Sequence, residues 1–175
     1  MLGNASAKDA LRNEMRAKLR AMPATEIENT SARIRSQLSF KPGEKVAFFA
    51  GLPTEPRLLE LLTEFPQTLW HLPRVTGRST MQFVQIDSTS HLRPGAFKIL
   101  QPPPGPITTD FETILCPGIA FTKNGGRLGQ GGGFYDRFLS GQPRARFIGI
   151  AFQFQLIDSI PSDEHDIFMH QIVTS

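Results

Sequence analysis

Lys123-Asn124-Gly125-Gly126-Arg127-Leu128-Gly129-Gln130-Gly131-Gly132-Gly133-Phe134-Tyr135-Asp136-Arg137 holds six of the 15 glycines in the chain. It follows Thr113–Cys116, a short apolar run that reads as a buried strand closed by Pro117-Gly118, and it leads into Phe134–Leu139 at helical spacing. Strand, glycine loop, helix is the grammar of an α/β fold. Glycines there free the backbone to take positive φ and to turn successive N–H groups toward one point. A helix start behind the loop adds a favourable dipole for an anion, and Arg127 adds a positive fork. No GxxxxGK[ST] is present, and Phe134 breaks GxGxxG. The stretch is a phosphate cradle by composition; a tight structural turn is the alternative.

Outward from this stretch the same alternation continues. Val46–Ala50, Thr68–Leu72, Met81–Ile86, Arg146–Phe152 and Ile172–Thr174 read as strands. Residues 8–22 read as a helix with an apolar stripe of Leu11, Met15 and Leu19 and a basic stripe of Lys8, Arg12, Arg16 and Arg20. Pro23 ends it. Thr25-Glu26-Ile27-Glu28 has the form of a capping box opening a second helix to about Leu38. Pro56 suits the first turn of a helix carrying Leu58, Leu59, Leu61 and Leu62. Gln101-Pro-Pro-Pro-Gly-Pro106 is a loop. Strands alternating with helices imply an α/β sandwich with a largely parallel central sheet, and no linker divides residues 1–175.

The composition excludes several classes. At 175 residues, 39% hydrophobic and 20% charged, the chain is globular rather than disordered. The lone cysteine, Cys116, excludes an internal disulfide framework and a Cys-only metal cluster. No apolar run approaches the roughly 18 residues of a membrane span, and the first residues lack the apolar stretch of a secretory signal, so a cytoplasmic location is expected. The net charge of +3 is unevenly placed. Residues 1–45 hold nine Lys/Arg against five Asp/Glu, whereas residues 158–175 hold four Asp/Glu and no Lys/Arg. A basic front and an acidic tail could bracket a polyanion and its metal; surface bias is the bland alternative.

The motif Arg127–Leu139, RLGQGGGFYDRFL, resembles the signature of the 5-formyltetrahydrofolate cyclo-ligase (methenyltetrahydrofolate synthetase) family. Four further segments resemble the family in the same order: Lys8 with Leu11-Arg12, Cys116–Phe121, Gly149–Phe152 with Gln155-Leu156, and Ile160-Pro161 through His165-Asp166 to Ile172–Thr174. The resemblance implies a three-layer sandwich with an N-terminal helical hairpin. It implies that ATP and Mg2+ drive closure of 5-formyltetrahydrofolate to 5,10-methenyltetrahydrofolate, with ADP and phosphate released. It further implies ATP contacts from Lys8, Arg12 and the loop Arg127, Leu128, Gly129, Gln130, Gly131, Gly132, Gly133, Phe134 and Tyr135. Folate contacts are implied from Ala50, Glu55, Met81, Phe97 and Gln130–Phe134, and Mg2+ ligation from Asp136 and Asp166.

Each of these residues also has a plain structural reading. Arg16 and Arg20, outside the resemblance, read as a solvated helix face. Glu55 could be a helix N-terminal acid, Met81 and Phe97 could be core, Asp136 could cap or pair with Arg137, and Asp166 could be an ordinary surface acid. Gln130 stands where the family varies and gets no special role; Arg137 braces the loop. Thr122 departs from the family, which usually has Asp there. His71, His91, His165 and His170 are scattered and suggest no histidine metal site. The partners expected are a reduced folate and ATP, with the chain a monomer and no membrane or nucleic acid involved. Two other readings are a catalytically impaired relative that binds nucleotide or RNA, motivated by the pI of about 9.4 and Thr122, and a sugar-phosphate enzyme of similar architecture.

Overall fold

A computed structural model describes residues 4–161, 163 and 166–175. Two helices open the chain, α1 (Asn4–Ala21) and α2 (Ala24–Arg35); α3 (Leu61–Glu64) and α4 (Phe134–Ser140) follow later. The central sheet has seven strands: β1 (Lys45–Ala47), β2 (Leu69–Val75), β3 (Met81–Ile86), β6 (Ile107–Thr108), β7 (Thr113–Cys116), β10 (Arg146–Ala151) and β12 (Gln171–Thr174). Their order is β12-β10-β7-β1-β2-β3-β6. The strands from β12 to β2 pair in parallel, and β3 pairs antiparallel with both β2 and β6. Short pairs complete the chain: β4 (Arg93–Pro94) with β5 (Leu100–Gln101), and β8 (Ala120–Thr122) between β9 (Arg127–Leu128) and β11 (Leu156–Ile157).

Strand alternation builds the three layers. Val46, Trp70, Leu72, Leu115, Ile148 and Ile150 project to one face, where Leu19 of α1, Ile27 and Ile34 of α2 and Leu61 of α3 cover them. Ala47, Phe83, Ile114, Cys116, Phe147 and Ala151 project to the other, covered by Leu139 of α4 together with Phe121 and Phe111. The apolar stripe of α1 spans two cores. Leu19 joins the first face, whereas Met15 and Leu11 pack on Ile119, Ala120 and Leu128 of the small sheet. That docking turns the basic stripe of α1 toward the glycine loop.

Several local expectations are corrected. Thr25 is not a cap, because α2 starts one residue earlier with Pro23 in extended conformation at the N-cap and no side-chain cap. Glu28 pairs with Arg57 instead. Helix α3 begins only at Leu61, so Pro56 and Glu55 precede it. β1 ends at Ala47, although the Phe48 N–H still bonds the His71 carbonyl at 3.0 Å. Gln101 belongs to β5, so the loop proper starts at Pro102.

Candidate active site

The chain runs from β1 to one side of the sheet through β2, β3 and β6, then returns to the other side through β7, β10 and β12. The connections after β1 and β7 therefore diverge, and a crevice opens beyond their carboxyl ends, where α/β sheets bind ligands. A cleft of about 690 Å³ lies there. Ala50 and Glu55 line it from the segment after β1, and Pro117 and Gly118 from the end of β7. Val75, Met81 and Phe97 line the β2–β3 side, and Lys8, Arg12 and Arg16 enter from α1. Residues 127–136 and Asp166 complete the walls.

The glycine loop is held open toward this space. Gly131 and Gly133 take φ of 103° and 64°, the left-handed region that side chains resist. Arg12 donates through Nε to the Gly129 carbonyl at 3.0 Å, and Arg137 donates to the Gly132 carbonyl and braces the loop from the far side. Helix α4 behind the loop has only seven residues. The attraction for an anion therefore rests on loop N–H groups and α1 cations more than on a helix dipole.

Arg127 departs from its reading as an open phosphate fork. Its side chain is 3% exposed and its Nη2 donates to Asp136 at 2.6 Å. Nη1 donates to the Pro117 carbonyl at 3.1 Å, and the guanidinium lies 5.6 Å from the Tyr135 ring centroid. Arg127 thus ties β7 to α4 across the floor of the cleft. Asp136 pairs with Arg127, not with the adjacent Arg137.

Lys8 meets the acidic tail. Its ammonium, 10% exposed, lies 2.7 Å from Asp163 and 2.8 Å from Asp166. Burial alone would lower its pKa; the hydrogen bonds and charges of the two carboxylates outweigh that and shift it upward. His165, beside them in the sequence motif, lies outside the described residues.

The residues expected to meet folate include Ala50, Met81 and Phe97, which line the same cleft. Phe97 stands at its mouth, 72% exposed, with φ of 57°, followed by Lys98 at 60°. Two successive non-glycine residues in this region cost about 1–3 kcal/mol each, so the surrounding turn imposes this pose. Glu55 is fixed by its own turn: its carboxylate accepts the Leu52 N–H at 2.8 Å while its N–H bonds the Leu52 carbonyl at 3.0 Å. Burial pushes its carboxyl above the usual range, opposed by the Leu52 N–H and by Gln130. The folded state then grips the proton harder than the unfolded chain. Stability from that proton is complete below the ordinary value of 4.5 and is lost as pH rises through the raised one. Glu55→Gln is therefore expected to match the wild type in thermal unfolding at pH 4 and to exceed it at pH 8. An equal difference at both would mean the carboxylate is solvated. Cys116, fully buried at the end of β7, has its thiol pushed up to about 12 by burial.

The family model for 5-formyltetrahydrofolate cyclo-ligases matches residues 4–175. The chain belongs to the 5-formyltetrahydrofolate cyclo-ligase family. It is 27% identical to the mouse 5-formyltetrahydrofolate cyclo-ligase over 96% of this chain and 93% of that one. It is 28% identical to that of Mycolicibacterium smegmatis over 95% and 93%. Among solved structures it is similar to the 5,10-methenyltetrahydrofolate synthetase of Aquifex aeolicus, with a TM-score of 0.82 and 31% identity over 95% of this chain and 89% of that one.

Set against this cyclo-ligase family, one residue emerges that sequence reasoning set aside. Arg16 lines the cleft and donates to the Gln130 carbonyl at 3.2 Å and to its side-chain oxygen at 3.1 Å. Gln130, expected among the loop contacts but with no special role, links α1 to the loop and lies close enough to Glu55 to favour its charged form. The signal was available for Arg16, one turn beyond Arg12 on the same stripe; Arg20 is exposed. Thr122, where the family usually has Asp, accepts the Gly126 N–H at 2.9 Å and bonds Asn124, so the turn keeps an oxygen acceptor. Among the described residues no three His, Cys, Asp or Glu cluster around a metal-sized space. Mg2+ commonly needs only one or two carboxylates beside phosphate oxygens and water. Asp136 and Asp166 fit that role: both line the cleft, and each has one oxygen without a partner among the described residues. No helix among the described residues is long and apolar enough to cross a membrane.

Proposed function

We propose that the chain, acting as one catalytic domain in the cytoplasm, closes 5-formyltetrahydrofolate to 5,10-methenyltetrahydrofolate at the expense of ATP. The formamide oxygen is a poor leaving group. Transfer of the γ-phosphoryl group to it, with ADP leaving, gives an imidate-type phosphate. The second folate nitrogen then attacks the formyl carbon, loses its proton, and phosphate departs with the oxygen. Catalysis of this kind is mostly positioning and charge stabilisation.

Lys8, Arg12 and Arg16 face the phosphates from α1, and the N–H groups of Gly129–Gly133 face them from the loop. Mg2+, held by Asp136 and Asp166, would supply the hard charge that neutralises phosphate oxygens. Glu55 receives the amino and ring N–H groups of the pterin, between Ala50 and Met81, with Phe97 stacking at the mouth. The apolar walls keep water from the activated carbon. The observation that carries this reading is one cleft that joins a cationic glycine loop to an apolar slot with a buried carboxylate, in a chain of this family.

Purified protein given Mg-ATP and 5-formyltetrahydrofolate is expected to form the methenyl chromophore with stoichiometric ADP. Background levels of both would overturn the reading. In the nucleotide- or RNA-binding alternative, Thr122 supplies an acceptor for the Gly126 N–H but not the charge of an aspartate.

A further inference from the structure

Three carbonyls of the glycine loop are held by arginines: Gly129 by Arg12, Gln130 by Arg16 and Gly132 by Arg137. Arg12 and Arg16 stand one turn apart on α1, so they take consecutive carbonyls. They then part. Arg12 turns to Asp9 of its own helix, at 2.6 Å. Arg16 closes on Gln130 a second time, with Nη2 and Nε at 3.1 and 3.4 Å from the side-chain oxygen. Its hydrogen bonds among the described residues thus all go to one loop residue, through backbone and side chain together. The Gln130 carbonyl shares a planar peptide with the Gly131 N–H. Gly131 sits at φ of 103° and has no Cβ, so the loop itself does little to stop that peptide from rotating. The fork of Arg16 selects one orientation. Arg16 is half-buried and Gln130 exposed, and both line the cleft, so little stability depends on the contact.

We propose that Arg16 is a positioning residue, which aligns the glycine loop for the nucleotide phosphates by gripping Gln130 and does not itself bind a phosphate. This deepens the proposed function and rests on it. A single carbonyl contact at a partly exposed site exchanges readily with water. A rigid fork on two oxygens of one residue holds that residue's backbone and side chain in one arrangement. Position 130 thereby becomes a determinant of nucleotide affinity through its side-chain oxygen, a role that an apolar residue there could not fill. Lysine in place of Arg16 would keep the charge facing the cleft but lose the fork.

The test is a double-mutant cycle in the full chain, Arg16→Met, Gln130→Ala and both together, titrated calorimetrically with Mg-ATP. Arg16→Met is expected to weaken binding at least about fivefold, and Gln130→Ala, which keeps the backbone carbonyl, at least about threefold. The double variant is expected to match Arg16→Met within about twofold, because the side-chain oxygen counts only while Arg16 holds it. Arg16→Lys is expected to stay at least about threefold weaker than the wild type. Melting temperatures are expected to move by less than about 2 °C; a merely structural bridge would lower them and leave Mg-ATP binding alone. Unchanged binding in Arg16→Met, a loss in Arg16→Met that Gln130→Ala does not share, losses that multiply in the double variant, or full recovery with lysine would each overturn the assignment. Chromophore formation by the wild type is read separately. Mg-ATP binding without turnover would sink the proposed reaction while the cycle still decides Arg16; a wild type that does not bind Mg-ATP would overturn both.

Discussion

Asp136→Asn is expected to lower kcat by roughly 100- to 1,000-fold while leaving the protein folded, the scale of losing one charge-stabilising group at a phosphoryl-transfer centre. The asparagine oxygen can still accept the Arg127 Nη2–H that Asp136 accepts at 2.6 Å. Alanine would also strand a guanidinium that is 3% exposed, and stability and chemistry would fall together. With asparagine the two separate. Thermal unfolding should stay near the wild type, and the Mg2+ concentration needed for half-maximal rate should rise. Near-normal turnover would remove Asp136 from metal binding and leave it as the anchor of Arg127.

Lys8→Met is expected to act on both stability and nucleotide binding. The ammonium holds two carboxylates, at 2.7 and 2.8 Å, so its removal leaves Asp163 and Asp166 repelling each other beside a helix that has lost its counter-charge. Asp163 is half exposed, which discounts the cost to about 1–3 kcal/mol. Denaturant unfolding reads that loss. In the kinetic assay KM for ATP should rise at least about tenfold, because a charge-assisted phosphate contact disappears and Asp166 is no longer positioned. A stability loss with unchanged KM for ATP would make Lys8 a strut between the chain's two ends and nothing more.

Much of the sheet was legible because parallel strands buried on both faces are runs of apolar residues. Thr-Ile-Leu-Cys at 113–116 and Phe-Ile-Gly-Ile-Ala at 147–151 need no alternation to be recognised. The pairs β4–β5 and β8–β9, with β6 and β11, escaped because two or three residues carry no period; tertiary neighbours alone make them strands. Thr25 misled because a capping pattern competes with the proline before it, whose fixed φ already starts the helix.

The site divides along the same line. Its loop was visible as clustered glycine, and its basic stripe as a four-residue repeat. The pairing of Lys8 with Asp166 spans 158 positions, and nothing local records it. Likewise the engagement of Arg127 with Asp136 follows from α4 folding back over the end of β7, which converts an apparent phosphate fork into a cross-brace.

The clasp between α1 and the acidic segment also sets a timetable for synthesis. A ribosome adding about 5–20 residues per second would leave Lys8 waiting roughly 8–30 s before Asp166 is made. Throughout that interval Lys8 lacks the two carboxylates that hold it, whereas Arg12 and Lys18 have Asp9 and Glu14 within the same helix. The contact of Lys8 with Asp166 is therefore among the last to close as translation ends, after Arg12 and Arg16 already have their partners in the glycine loop.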